Sequence, residues 1–231
     1  MIRPASIGNL AALVCLCAAV EAVPLDSLKA DARRLLAPPR LHLVLAGVAV
    51  GGLATRIDDR LEWELPGGGI PGAAFDLAGY YGSTGKTAAA GAVLWTLARW
   101  READGWRTQS EEVLRSIAAA ALIVAPLKLA TRRRRPDGGD RLSFPSGHTA
   151  TAFALSSVLA RRHGFRIGLP AYGLAVLVPV GRVGEKKHHF SDAVAGACIG
   201  AAAGWAVGIG HGNPALRARF DPAGMRAHWA F

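Results

Sequence analysis

AVAGACIGAAAGWAVGI, residues 193–209, reads as a helix with no polar face. Gly196, Gly200, Gly204 and Gly208 recur at every fourth position, and Ala, Val and Ile fill most of the space between them. On a helix this spacing aligns the glycines into one bare ridge, along which a second helix can approach closely. A glycine costs about 1 kcal/mol per site in a water-exposed helix. Four in register therefore point to a compensating helix–helix contact of the kind found in membranes, with ordinary Ala/Gly packing as the plainer reading.

Working outward, further apolar stretches lie at about 41–54, 87–98, 117–130, 149–160 and 167–181. No period-2 alternation and no Asn-Gly hairpin turn separates them, which argues against sheets. The expected fold is all-α, a multi-helix bundle embedded in the membrane with about five or six apolar helices. A span needs about 20 apolar residues, and 149–160 falls short of that, so a soluble bundle with buried helices is the alternative. Residues 1–22 resemble an export signal: Arg3 supplies the positive start, Ile7 to Val20 the apolar run, and Val20-Glu21-Ala22 a small-residue cleavage site. The predicted division is a signal at 1–22, an N-terminal segment at 23–84 with one short apolar helix and a Gly/Pro loop at 64–72, a core at 85–210 and a basic tail at 211–231. Past the signal, Cys198 is the remaining cysteine, so neither a disulfide framework nor a cysteine metal site is available.

The 231 residues are 51% hydrophobic and 19% charged, with 27 Lys and Arg against 17 Asp and Glu and a formal charge of +10. That excess suits anionic partners such as nucleic acid, acidic headgroups or phosphorylated substrates. No nucleic-acid-binding motif or interleaved aromatic surface accompanies it, so nucleic acid is not expected as a partner. Arginines cluster after the second apolar stretch (Arg99, Arg101, Arg107), after the fourth (Arg161, Arg162, Arg166) and in the tail (Arg217, Arg219, Arg226). The positive-inside rule assigns these to the cytoplasm and leaves 128–148 and 182–192 on the opposite face. The run Arg132 to Arg135 opposes that scheme unless some of its members have another task.

Three segments carry chemistry. In the first, Lys128 and Arg135 lie seven residues apart, near two helical turns, and can share a face from which to clamp phosphate oxygens, with Pro136 as the expected helix stop. In the second, Pro145-Ser146-Gly147-His148 opens an apolar helix whose free N–H groups form an anion site, with His148 beside it as proton donor or acceptor. In the third, His188 and Asp192 have i,i+4 spacing. A carboxylate on one ring nitrogen would fix the tautomer and free the other as nucleophile. Arg182 adds a donor, and His189 reads as structural. Asp137 and Asp140 invite a metal reading, but they lack a convergent oxygen cluster and have arginines beside them, so no metal is expected.

Together the segments resemble the tripartite motif of the PAP2 (type 2 phosphatidic acid phosphatase) superfamily, which includes lipid phosphate phosphatases, bacterial acid phosphatases and vanadium haloperoxidases. Lys, six residues, Arg-Pro is matched by Lys128, Arg135 and Pro136. Pro-Ser-Gly-His is matched by 145–148. Ser-Arg, five residues, His, three residues, Asp is matched by Arg182, His188 and Asp192, with Gly181 replacing the serine. The resemblance implies His188 as nucleophile through a phosphohistidine, Asp192 as its orienting partner and His148 as acid and then base. It implies Lys128, Arg135, Arg182 and the backbone of Ser146 and Gly147 as the phosphate cradle. It implies no cofactor, although vanadate or phosphate could occupy the site. The substrate class implied is a phosphorylated lipid or isoprenoid, in the bacterial inner membrane with the site facing the periplasm. A soluble periplasmic acid phosphatase on small esters, a vanadium-dependent haloperoxidase and a non-catalytic binder of anionic lipid are the alternatives. Oligomeric state is not legible.

Overall fold

The computed structural model describes residues 25–60 and 72–207. The export-like segment, most of the 64–72 loop, Gly208 and the basic tail lie outside them. The described residues are all-helical, as the sequence predicts, and contain no strand. The helices are α1 (Leu25–Leu36), α2 (Arg40–Ala54), α3 (Ala73–Gly82), α4 (Thr84–Trp100), α5 (Asp104–Thr131), α6 (Gly147–His163), α7 (Phe165–Gly184) and α8 (Phe190–Ala206).

α8 is the central element and packs against α6, α2 and α5. Its glycine ridge faces α6. A Cβ on Gly196 would lie 2.5 Å from the Ser146 carbonyl oxygen, and Cβ atoms on Gly200 and Gly204 would strike the carbonyls of Ala150 and Ala154. On another side of α8, Gly47 and Gly51 of α2 meet Cys198 and Ala195. Backbones this close leave room only for small side chains, and the central core is accordingly Val44, Ala120, Val124, Ala150, Ile199, Ala202 and Ala203. Dispersion between close-packed backbones stands in for large interdigitating side chains. The turn between α6 and α7 is made by Gly164 at φ 75°, a conformation open to glycine.

α1 and α3 lie outside the apolar stretches of the sequence. α1 (LDSLKADARRLL) is amphipathic and charged, so a search for apolar runs passes over it. α3 is only ten residues long and adjoins the Gly/Pro stretch. α5 and α7 are each long and apolar enough to cross a bilayer, and α1 with α2, bent by 57°, makes a third crossing if counted as one span.

The bundle has two charged ends. At one end the C-terminus of α6 meets the N-terminal half of α5. Glu112 is paired with Arg161 at 2.9 Å and Arg162 at 3.1 Å. Asp31 of α1 is paired with Arg34 at 3.1 Å and Arg115 at 3.3 Å. Glu112 is buried, and truncating either side of such a pair would strand the other charge in a low-dielectric interior. The other end holds Lys128, His148 and Asp192. Glu112 and Lys128 are separated by about 24 Å along α5.

Candidate active site

α5 stops at Thr131, earlier than Pro136. Arg132 caps it in the left-handed region (φ 44°), its N–H donating to the Lys128 carbonyl at 3.0 Å. Lys128 and Arg135 therefore do not share a helical face as their spacing implied. They converge because the chain after the helix folds back: Ser143 N donates to Arg133 O at 3.0 Å and Asp137 N to Lys186 O at 2.9 Å. Lys128 Nζ donates to the Leu142 carbonyl and, at 3.4 Å, to that of Ser143. Arg135 Nη1 donates to Lys187 O at 2.9 Å and reaches His188 Nε2 at 3.4 Å.

The second segment caps α6 as its residue types predict. Ser146 Oγ accepts from Thr149 N at 3.4 Å and from Thr149 Oγ1 at 3.0 Å. The Ser146 N–H, expected to cradle phosphate, instead donates to the Asp192 carbonyl at 2.9 Å. Of that pair of backbone donors, the Gly147 N–H at the first helical position is the one left at the helix mouth. Its Cα side faces Lys128, whose Cε would lie 4.0 Å from a Cβ there. His148 follows in the same first turn.

His188 is buried and lies just before α8, with His189 as the N-cap residue. The i,i+4 pair therefore meets across a helix entry rather than along a helix face. His188 Nδ1 stands 3.6 Å from Asp192 Oδ2. The tautomer follows from the neighbours. Asp192 as carboxylate can only accept and Arg135 can only donate, so the ring proton belongs on Nδ1 and the lone pair on Nε2, toward the arginine. His189 is structural as read: its N–H donates to Asp192 Oδ2 at 2.9 Å and its Nε2 contacts Arg134 O at 3.2 Å. Arg182 projects from the last turn of α7 and pairs with Glu185 at 2.6 Å.

The electrostatics show these groups in one field. Burial, and then the charges of Arg182, His188, Arg135 and Lys128, push the His148 imidazole down to about 3. Burial also lowers His188, against the opposing pull of Asp192. An empty site therefore keeps both rings neutral at pH 7, which suits a nucleophile but not a proton donor. A tetrahedral dianion among those cations offsets their repulsion of a charged ring and raises His148. Between the free and bound values, binding takes up a proton, so affinity must fall as pH rises. Sulfate, which stays a dianion across this range, is expected to inhibit less strongly with each step in pH above about 3. A His148→Gln variant should flatten that slope. Inhibition constants measured across pH for both proteins check this.

Four supporting residues carried no usable signal in the sequence. Asp192 Oδ1 accepts from Arg133 Nη1 at 2.8 Å, and Asp192 Oδ2 also accepts from the Ser143 hydroxyl. Arg133 Nη2 pairs with Asp58 at 2.6 Å. Asp58 Oδ1 and Oδ2 accept from the Ser191 N–H at 2.9 Å and the Ser191 hydroxyl at 2.6 Å. Within the run Arg132 to Arg135, Arg133 thus has a task of its own beside Asp192 and Asp58, whereas Arg132 and Arg134 are exposed. Asp137 and Asp140 are occupied by cations of the protein itself, Lys187 at 2.7 Å and Arg135 at 2.8 Å. Hydrogen bonds from those two cations hold both carboxyls below the usual range.

Residues 136–213 match the PAP2 superfamily. A second comparison finds the Lipid A 1-phosphatase of Porphyromonas gingivalis, 38% identical over 71 residues, which are 29% of this chain and 16% of that protein. The chain thus matches only a small part of that relative's length. No solved structure matches. The matched segment holds Pro145 to His148, Arg182, His188 and Asp192. Lys128 and Arg135 precede it at the spacing of the family's first motif, and all of them meet at one end of one helical bundle. Over residues 136–213, about a third of its length, the chain is thus similar to the PAP2 superfamily.

Proposed function

We propose that this protein hydrolyses phosphate monoesters or diphosphates of membrane lipids through a phosphorylated His188. The observation that carries this reading is the gathering of Lys128, Arg135, Arg182, His148 and the His188–Asp192 pair around one space at the mouth of α6. In the first step His188 Nε2 attacks phosphorus in line, forming the N–P bond as the P–O bond to the leaving group breaks. His148, protonated on substrate binding, gives its proton to the departing oxygen. Asp192 holds Nδ1–H and offsets the positive charge that the phosphorylated ring acquires. In the second step His148, now neutral, takes a proton from water, whose oxygen attacks phosphorus and releases His188. The cations and the Gly147 N–H stabilise the equatorial oxygens throughout, and such preorganised charge supplies most of the rate in phosphoryl transfer.

A lipid substrate is supported by the exposed apolar side chains of the two long helices, among them Leu122, Leu129, Leu169 and Val176. The name of the relative, a lipid A 1-phosphatase, agrees with it. The periplasmic side is supported by the two ends of the bundle. Arg162 Nη2 donates to Gly105 O at 3.1 Å and His163 contacts Gln109 at 2.8 Å. The basic turns around 99–107 and 161–166 thus sit together, opposite the site, and the positive-inside rule assigns that end to the cytoplasm.

The test is phosphate release by the full chain in detergent with EDTA. The substrates are dioctanoyl phosphatidic acid, a polyprenyl diphosphate, a lipid A 1-phosphate and p-nitrophenyl phosphate. Turnover of at least one lipid with kcat/KM above that for the soluble ester is expected. Preference for the soluble ester would remove the lipid assignment, and no release from any substrate would remove the whole reading.

A further inference from the structure

We propose that Asp58, outside the family's three motifs and its matched segment, is a positioning residue of the site: through Arg133 it sets the orientation and net charge of Asp192 behind His188. This rests on the reading of His188 as nucleophile. Asp58 opens a helical stretch (58–60) just after the turn at 55–57 that follows α2, far from the motifs in sequence, yet it is 1% exposed. Both of its oxygens are used. Oδ1 accepts from the Ser191 N–H at 2.9 Å, and Oδ2 accepts from the Ser191 hydroxyl and from Arg133 Nη2, each at 2.6 Å. The other arm of the same guanidinium holds Ser191 Oγ at 2.5 Å and Asp192 Oδ1 at 2.8 Å. A planar fork gripped at both ends has little freedom to rotate, so Asp192 is presented to His188 in one orientation.

The charges alternate along this chain. Asp58, Arg133 and Asp192 together carry one net negative charge behind a ring that becomes positive when phosphorylated. Without Asp58, Arg133 would cancel Asp192 and the trio would be neutral. Without Arg133, the trio would carry two negative charges. The other charges facing His188 are Lys128 of α5, Arg135 of the following loop, His148 of α6 and Arg182 of α7. None of these changes in either variant, so the two substitutions should move His188 in opposite directions.

The experiment uses the full chain in detergent with p-nitrophenyl phosphate, comparing wild type, Asp58→Asn, Arg133→Gln, the double variant and His188→Ala across pH. The ratio of each variant's kcat/KM to wild type cancels the ionisation of the substrate. For Asp58→Asn, kcat is expected to fall about tenfold, the low end of what is lost when the partner behind a functional histidine is removed. Its ratio should climb as pH is lowered, because a less basic His188 stays neutral further into acid, with a displacement of about half a pH unit. The ratio for Arg133→Gln should decline as pH is lowered. The double variant restores one net negative charge, and its ratio should be flat. Thermal unfolding in the same detergent confirms folding of each protein, and if one single variant fails to fold, the slope of the other is still read against the flat ratio of the double variant. Flat ratios for both single variants, with wild type active and His188→Ala inert, would overturn the proposal and leave the nucleophile assignment standing. Full activity in His188→Ala would overturn both.

Discussion

Replacing His188 with alanine is expected to lower kcat at least about a thousandfold, since removal of a covalent nucleophile leaves only binding and electrostatics. The companion variant His148→Ala should separate the two chemical steps. With p-nitrophenyl phosphate the leaving group departs without a proton, so transfer to His188 can proceed although its proton donor is gone. Hydrolysis of the N–P bond, which needs a base for the attacking water, should then stall. Incubation with labelled ester and alkaline quenching is expected to leave label on His148→Ala and none on His188→Ala. With a lipid phosphate, whose alkoxide is a poor leaving group, His148→Ala should be inactive in both steps. Label retained by His188→Ala would place the nucleophile elsewhere. The buried position of His188 and the acceptor–donor pair on its two nitrogens, Asp192 at 3.6 Å and Arg135 at 3.4 Å, are the geometric grounds for this expectation.

The second large effect lies in the glycine ridge. A Cβ on Gly200 would run into the backbone carbonyl of Ala150, and a backbone atom cannot rotate aside as a side chain can. Gly200→Leu must therefore push α6 off α8, whereas ordinary overpacking costs about 1–3 kcal/mol because neighbours can adjust. Against a net stability of about 5–15 kcal/mol, a displaced central helix pair should abolish the fold. It should also abolish activity, because α6 carries His148 and α8 carries Asp192. Gly52→Ala is the control: nothing lies within 4 Å of a Cβ there, and the variant should fold and turn over as wild type does. Size-exclusion profiles and thermal unfolding in detergent distinguish the two. A monodisperse, active Gly200→Leu protein would mean that the two helices do not touch along this ridge.

The amino-acid sequence by itself determined the helical class, the glycine ridge and the identities of the charged groups and histidines of the candidate site. Each depends on local spacing: the helical repeat aligns glycines four apart, and short motifs keep His148 beside a helix N-terminus and His188 near Asp192. Only the tertiary structure decided which groups support them. Arg132, Arg133, Arg134 and Arg135 are identical in composition. The left-handed cap at Arg132, which ends α5 early, turns Arg133 toward Asp58 and Asp192 and Arg135 toward His188. Asp58, in the mixed-charge stretch TRIDDR (55–60), resembles solvated surface until α2 packs on α8 and buries it beside Ser191. The Ser146 amide reads as free at a helix start until the Asp192 carbonyl arrives from α8 to take it. Local patterns encode what a residue can do chemically. Which partner takes up each donor and charge depends on segments far apart in the chain, and is settled only when burial makes an unpaired group costly.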